Sequence, residues 1–116
     1  QLWEKIVPFV DGALASAYVY CRGGVNHVAK FHARMFASGM GIVEDPATGS
    51  AAAALSGAIH HFDRLTDGHH PIMIEQGVEM GRPSFIHLHI DVDGGAISNA
   101  RIGGQAVRLA SGTLDL

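Results

Sequence analysis

The stretch VEDPATGSAAAALSGAI, Val43 to Ile59, decides how this chain is read. Its first half is acidic and turn-forming, and its second half is rich in alanine. The spacing predicts a helix over Ala51 to Phe62. The apolar positions Ala51, Ala52, Ala53, Ala54, Leu55, Ala58, Ile59 and Phe62 cover nearly its whole circumference. A helix apolar on all sides is a buried one, and its small side chains let neighbours approach closely. In a short chain the simplest surround for such a helix is a strongly curved sheet.

The flanking sequence supplies the strands. Fifteen glycines in 116 residues imply many tight turns. Ala13 to Cys21, with Tyr18, Val19 and Tyr20, reads as one strand. Ala29 to Phe36 alternates with a period of two and reads as another. The turn RGGVN, Arg22 to Asn26, joins them into a hairpin. Ala37 to Ile42 reads as a loop, and Asp63 to Pro71 ends the helix in polar residues with an Asp67-Gly68 turn. Ile72 to Gln76 and Phe85 to Val92 follow as strands. In the second, Ile86, Leu88 and Ile90 face one way and Phe85, His87 and His89 the other. Asp93 to Gly95 makes a hairpin turn. Ala96 to Ile102 and Ala106 to Leu109 read as strands parted by a bulge at Gly103-Gly104. Pro8 argues against an uninterrupted helix in Gln1 to Val10, so a short helix to Val7 or an irregular arm is expected, with Trp3 as a packing anchor. The fold class is therefore α+β: a strongly curved, barrel-like mixed sheet around one buried central helix. It forms a single domain over 1–116, with residues 1–14 as an N-terminal arm.

Composition narrows the function classes. The chain is 47% apolar and 16% charged, which is globular. Its net charge of −3 and the lack of a Lys/Arg block argue against nucleic acid as a partner. No apolar run approaches the ~20 residues that span a bilayer, and no secretory signal is evident. A cytoplasmic location without membrane partners is expected. Cys21 is the sole cysteine, so an internal disulfide is impossible; a reducing compartment and a packed core thiol are expected. Eight histidines include the pairs His60-His61 and His69-His70 and the same-face pair His87 and His89. None has the three- or four-ligand spacing of a zinc site, so neither metal nor cofactor is expected. Because the chain starts at Gln1 rather than Met, it reads as a processed product or a fragment.

The chemistry is expected at the head of the helix. The first turn leaves backbone N–H groups without intrahelical partners, and the helix dipole adds positive potential there. Such a place attracts anions. Gly49 keeps a side chain out of a ligand's way, and Ser50 adds a hydroxyl donor. Asp45 is close enough in sequence to handle a proton. Two registers are open: Asp45 as cap with Pro46 first in the helix, or Thr48 as cap with Gly49 first. Two functions are open as well, a carboxylate or phosphate pocket at Gly49, Ser50 and Ala51, or an ordinary cap before a core helix. The lysine of a nucleotide-binding phosphate loop is missing. Arg82, after Met80-Gly81, attracts a bound anion, pairs with Asp45 or Glu44, or is a plain surface arginine. Arg34 reads as a structural ion-pair partner.

GIVEDPATGSAAAAL, Gly41 to Leu55, resembles the signature of the PhzF-like isomerase family, named for phenazine biosynthesis. ARMF (Ala33 to Phe36), EQGVEMGRPS (Glu75 to Ser84) and ARIGGQAVRLASGTL (Ala100 to Leu114) match in the family's order. The resemblance implies a fold like diaminopimelate epimerase: two related halves, each a curved sheet around a central helix, with the substrate between the helix heads. It implies proton transfer on a small amino-acid-like acid. In the member that names the family, a dihydro-hydroxyanthranilate is isomerised. By resemblance, Asp45 and Ser50 match catalytic, substrate-contacting positions. Gly49, Ser50 and Ala51 match the helix head, and Thr48 and Arg82 adjoin the substrate. The family's principal base, a glutamate of the N-terminal half, and its assisting histidine have no counterpart here, and Glu44 cannot replace that glutamate. The chain is thus expected to carry one wall of an active site and to be inactive without a complementary half-domain or a homodimer that rebuilds the cleft. The alternatives are a non-catalytic carboxylate-binding or assembly module and a structural remnant without a ligand.

Overall fold

The structure, a computed structural model, describes residues 9–10, 13–14 and 16–116. Strands β1 (Phe9–Val10) and β2 (Ala13–Leu14) form a small antiparallel pair. The expectations for Gln1 to Pro8, including the Trp3 anchor and the short helix, lie outside the described residues.

The main sheet has six strands: β3 (Ala17–Arg22), β4 (Phe31–Ala37), β5 (Ile42–Asp45), β6 (Gly68–Gln76), β7 (Ser84–Asp93) and β8 (Ala96–Gly103). The order is β3-β4-β6-β7-β8, with β5 paired to the end of β4. Only β4 and β6 run parallel, so the sheet is mixed. The β3–β4 hairpin and the alternation of β7 are as the sequence reading has them: Ile86, Leu88 and Ile90 are buried, and Phe85 and His87 are exposed. Gly94 and Gly95 both have positive φ at the β7–β8 turn, a conformation that glycine adopts without a Cβ clash.

One long helix, α1 (Gly49–Asp63), connects β5 to β6 and packs on the sheet through β7 and β8. Its Ala52, Leu55 and Ile59 join Phe31, Ala33, Ile72, Ile74, Leu88 and Ile90 in one apolar core. Among the described residues, no helix is long and apolar enough to cross a membrane.

Several expectations are corrected. The sheet is open, with β3 and β8 as its edges, so it does not close as a barrel. A single sheet covers one side of a helix, so α1 is half-buried rather than enclosed. Ala54, Gly57, His61 and Phe62 face outward, and Phe62 is 69% exposed. Cys21 is exposed rather than packed. On the edge strand β3, Tyr18 and Tyr20 turn toward the core, and Val19 and Cys21 share the opposite parity. Ala106 to Leu109 is not a strand: residues 104–116 pair with no strand of the sheet and are exposed. Within the segment read as a loop, Ser38–Met40 forms one 3-10 turn, and its last residue, Ile42, opens β5. The strand read over Ala13 to Cys21 is divided into β2 and β3.

Candidate active site

The register is settled in favour of Thr48 as the N-cap. Its φ and ψ are extended, and its carbonyl accepts the first helical bond from Ala52 N–H at 3.1 Å. Its hydroxyl, however, makes no capping bond. It donates instead to Asp45 Oδ2 at 2.5 Å. Consequently the N–H groups of Gly49, Ser50 and Ala51 meet no acceptor among the described residues. Gly49 and Ser50 are exposed and Ala51 is half-buried, so the helix head is open. The space left by the missing Cβ of Gly49 is bordered by Ile102 of β8, whose Cδ1 lies 3.4 Å from that position. Asp45, half-buried at the end of β5, stands beside this head.

The loop between β5 and α1 is held from below by Gln76. This side chain is completely buried. Its Nε2 donates to Asp45 O at 2.7 Å and to Thr48 Oγ1 at 3.0 Å. Its Oε1 accepts from Thr48 N–H at 3.3 Å and from the Tyr18 hydroxyl at 2.9 Å. Burial pushes the Tyr18 phenol up to about 12, so it remains a donor. No motif reading singled out Gln76. The signal was present: Ile72, Ile74 and Gln76 share one face of β6, so an amide sits in a core position and needs partners.

A second layer ties β4 to β5 and to the turns on either side. Arg34 makes a two-pronged pair with Glu44, at 2.8 Å from Nε and 3.0 Å from the terminal nitrogen. This pair bears out the structural reading of Arg34 and occupies the carboxylate that Arg82 was weighed against. The bond to Arg34 holds the Glu44 carboxyl below its usual range. His32 lies between Glu75 (Nδ1, 2.9 Å) and Glu79 (Nε2, 2.5 Å). Both ring nitrogens face carboxylate oxygens, which only accept, so the imidazolium fits this position best. Bonds to Glu75 and then Glu79 raise the His32 pKa. Burial pushes Glu75 up, but His32 and the N–H groups of Asn26 and Val25 together hold it below the ordinary value.

Arg82 is exposed, and its backbone N–H closes the 77–82 turn on Gly77 O at 3.0 Å. No ion pair joins its side chain to Asp45 or Glu44 among the described residues. That turn adjoins the site through Gly77, where φ is +81° and a Cβ would lie 2.7 Å from Pro46 O. Two cavities are larger: the first lies at the far end of the helix, and the second reaches the site loop at Ala47. One of about 400 Å³ sits by Arg22, Lys30 and Asp63; another of about 570 Å³ lies on the outer sheet face by Met73, Phe85 and His87. The open wall at the helix head forms no enclosed cavity by itself. Among the described residues, no group of three His, Cys, Asp or Glu side chains is placed to hold a metal ion.

Comparison with known proteins matches this architecture. An uncharacterized isomerase of Mesorhizobium japonicum is 56% identical over 115 residues, 98% of this chain and 38% of that protein. The trans-2,3-dihydro-3-hydroxyanthranilate isomerase of Pseudomonas aeruginosa is 37% identical over 94 residues, 81% of this chain and 33% of that protein. The crystal structure of a Bacillus anthracis phenazine biosynthesis protein of the PhzF family shares the fold. Its TM-score is 0.65 at 22% identity, over 76% of this chain and 30% of that one. The chain thus spans 33–38% of the length of these two sequence relatives. The family model described as phenazine biosynthesis-like protein (PhzC-PhzF) matches residues 11–112, and this chain belongs to that family.

Proposed function

We propose that this chain forms one wall of an isomerase active site. It binds the carboxylate of a small amino-acid-like substrate at the N–H groups of Gly49, Ser50 and Ala51 and moves a proton with Asp45. The observation that carries this reading is the open head of α1 beside Asp45, with the hydroxyl of the capping Thr48 turned away. Ser50 adds a hydroxyl donor. Arg82 lends positive charge at the rim, and Thr48 orients Asp45.

In the proposed reaction a base removes a proton from a carbon conjugated with the substrate carboxylate. Negative charge then spreads toward that carboxylate, where the helix-head N–H groups stabilise it. A proton returned to a different carbon completes the isomerisation, with no net gain or loss of protons. Two acid–base groups serve the two carbons. Asp45 is one, and a complementary half-domain, or a second copy in a homodimer, supplies the other. Exposed Met40, Val43, Phe62 and Leu109 favour such an association. The reaction is placed in the cytoplasm and uses no cofactor.

Calorimetry with anthranilate, an aromatic amino-acid-like carboxylate, tests the binding half. Ser50→Ala should weaken binding severalfold. Ser50→Pro, which also removes an N–H that has no intrahelical partner to lose, should abolish it. Unchanged affinity in Ser50→Pro would overturn the pocket. Deuterium uptake from heavy water into trans-2,3-dihydro-3-hydroxyanthranilate, measured with the second half supplied, tests the chemistry. Exchange lost in Asp45→Asn supports it, and binding without any exchange reduces the chain to a binding module. Light scattering showing a clean monomer at micromolar concentration would remove the homodimer version.

A further inference from the structure

The structure assigns Gln76 a positioning role: its buried carboxamide draws the Thr48 hydroxyl off the head of α1 and directs it at Asp45, which keeps the anion site open. This inference rests on the site proposed above.

Hydrogen-bond direction carries the reasoning. A backbone N–H can only donate and a backbone carbonyl can only accept. Thr48 N–H faces one end of the Gln76 amide and Asp45 O faces the other, so the amide has a single orientation. Its Nε2 must therefore donate to Thr48 Oγ1. A threonine hydroxyl has one hydrogen, and with Oγ1 accepting from Gln76 that hydrogen goes to Asp45 Oδ2. The relay runs one way, from amide to hydroxyl to carboxylate. The Tyr18 hydroxyl completes the second bond to Oε1, so the buried amide uses its full capacity of two donors and two lone pairs.

An N-cap threonine ordinarily turns its oxygen onto the second or third N–H of its helix, here Ser50 or Ala51. Thr48 has the backbone geometry for that bond and does not make it. Gln76 and Asp45 hold its oxygen elsewhere. Two consequences follow for the site. The Ala51 N–H remains available to a ligand. Asp45 Oδ2 is engaged, and Oδ1, without a donor among the described residues, is the oxygen that faces a substrate proton. Gln76 reaches these groups only through Thr48 and the loop backbone, so its role is positioning.

Amide hydrogen exchange by NMR on the chain, without ligand, tests this directly. In wild type the Ala51 N–H should exchange as an unbonded helix-head amide. Gln76→Leu should let Thr48 cap the helix, slowing Ala51 exchange by about fivefold, the factor for a typical N-cap bond. Anthranilate binding should weaken by a similar factor. Adding Thr48→Val to Gln76→Leu should restore the Ala51 exchange rate. A purely structural role for Gln76 predicts no such restoration, and its absence would overturn the inference. Should Gln76→Leu fail to fold, Thr48→Val alone decides: unchanged Ala51 exchange is expected, and faster exchange would show that the hydroxyl caps after all. If wild type does not bind anthranilate, the site reading fails, while the exchange rates still judge Gln76.

Discussion

Replacing Gly77 by alanine should damage both stability and the site loop. Gly77 sits at φ +81°, and a residue with a Cβ loses roughly 1–2 kcal/mol in that left-handed region. The new methyl would also lie 2.7 Å from Pro46 O and closer still to Arg82 O, where ordinary contact begins near 3.4 Å. Both neighbours are backbone, so neither can swing aside as a side chain could. Overpacking of this kind costs roughly 1–3 kcal/mol. Together the two effects give about 2–5 kcal/mol. The carbonyl of Pro46 must recede by ~0.7 Å, which moves the loop between Asp45 and Thr48. A displacement near 1 Å in a catalytic constellation can cost about 100-fold in rate. Urea denaturation, with the slope unchanged, measures the first effect. Gly57→Ala serves as the control: a Cβ there meets nothing within 4 Å, in mid-helix, and should stabilise by about 1 kcal/mol. A loss below ~0.5 kcal/mol in Gly77→Ala would refute the steric reasoning, because surface-like changes stay within that range.

The other predictions concern charge and exposure. His32 has a raised pKa in the folded chain, so its contribution is full below its unfolded value of 6.5 and is lost as pH climbs through the raised value. Glu75 and Glu79 are lowered, so their contributions are present above 4.5 and are lost as pH falls through the lowered values. Urea midpoints should therefore show the His32→Gln variant falling furthest behind wild type between pH 4.5 and 6.5, with the gap closing in alkali; a gap constant with pH would contradict the imidazolium. Glu75→Ala, which leaves His32 and two loop N–H groups without their buried acceptor, should cost about 3–5 kcal/mol in the same assay. Cys21 should react with a thiol reagent in the native protein at the rate of an open thiol, and protection until unfolding would contradict its exposure.

Much of the fold was legible because local chemistry and tertiary structure agree. The alanine run became α1, within two residues of its expected start, and the alternation of β7 named its buried face. The rest depends on neighbours. Ile42–Asp45 is too short to show a period, and it becomes β5 only because the end of β4 lies beside it. Residues 106–109 look like a strand in composition but find no partner strand, whereas Cys21 lies on a face set by the parity of β3. At the site, the sequence pointed to Asp45 and to the helix head. It could not show that Thr48 caps with its backbone and not its hydroxyl, because that depends on Gln76, 28 residues away.

The most direct test of the helix-head site is an amide NMR titration of the chain with anthranilate. The account predicts that the largest shifts fall on the N–H groups of Gly49, Ser50 and Ala51 and disappear in Ser50→Pro. Shifts centred on the cavity by Arg22 and Lys30, with the helix-head amides unmoved, would contradict it.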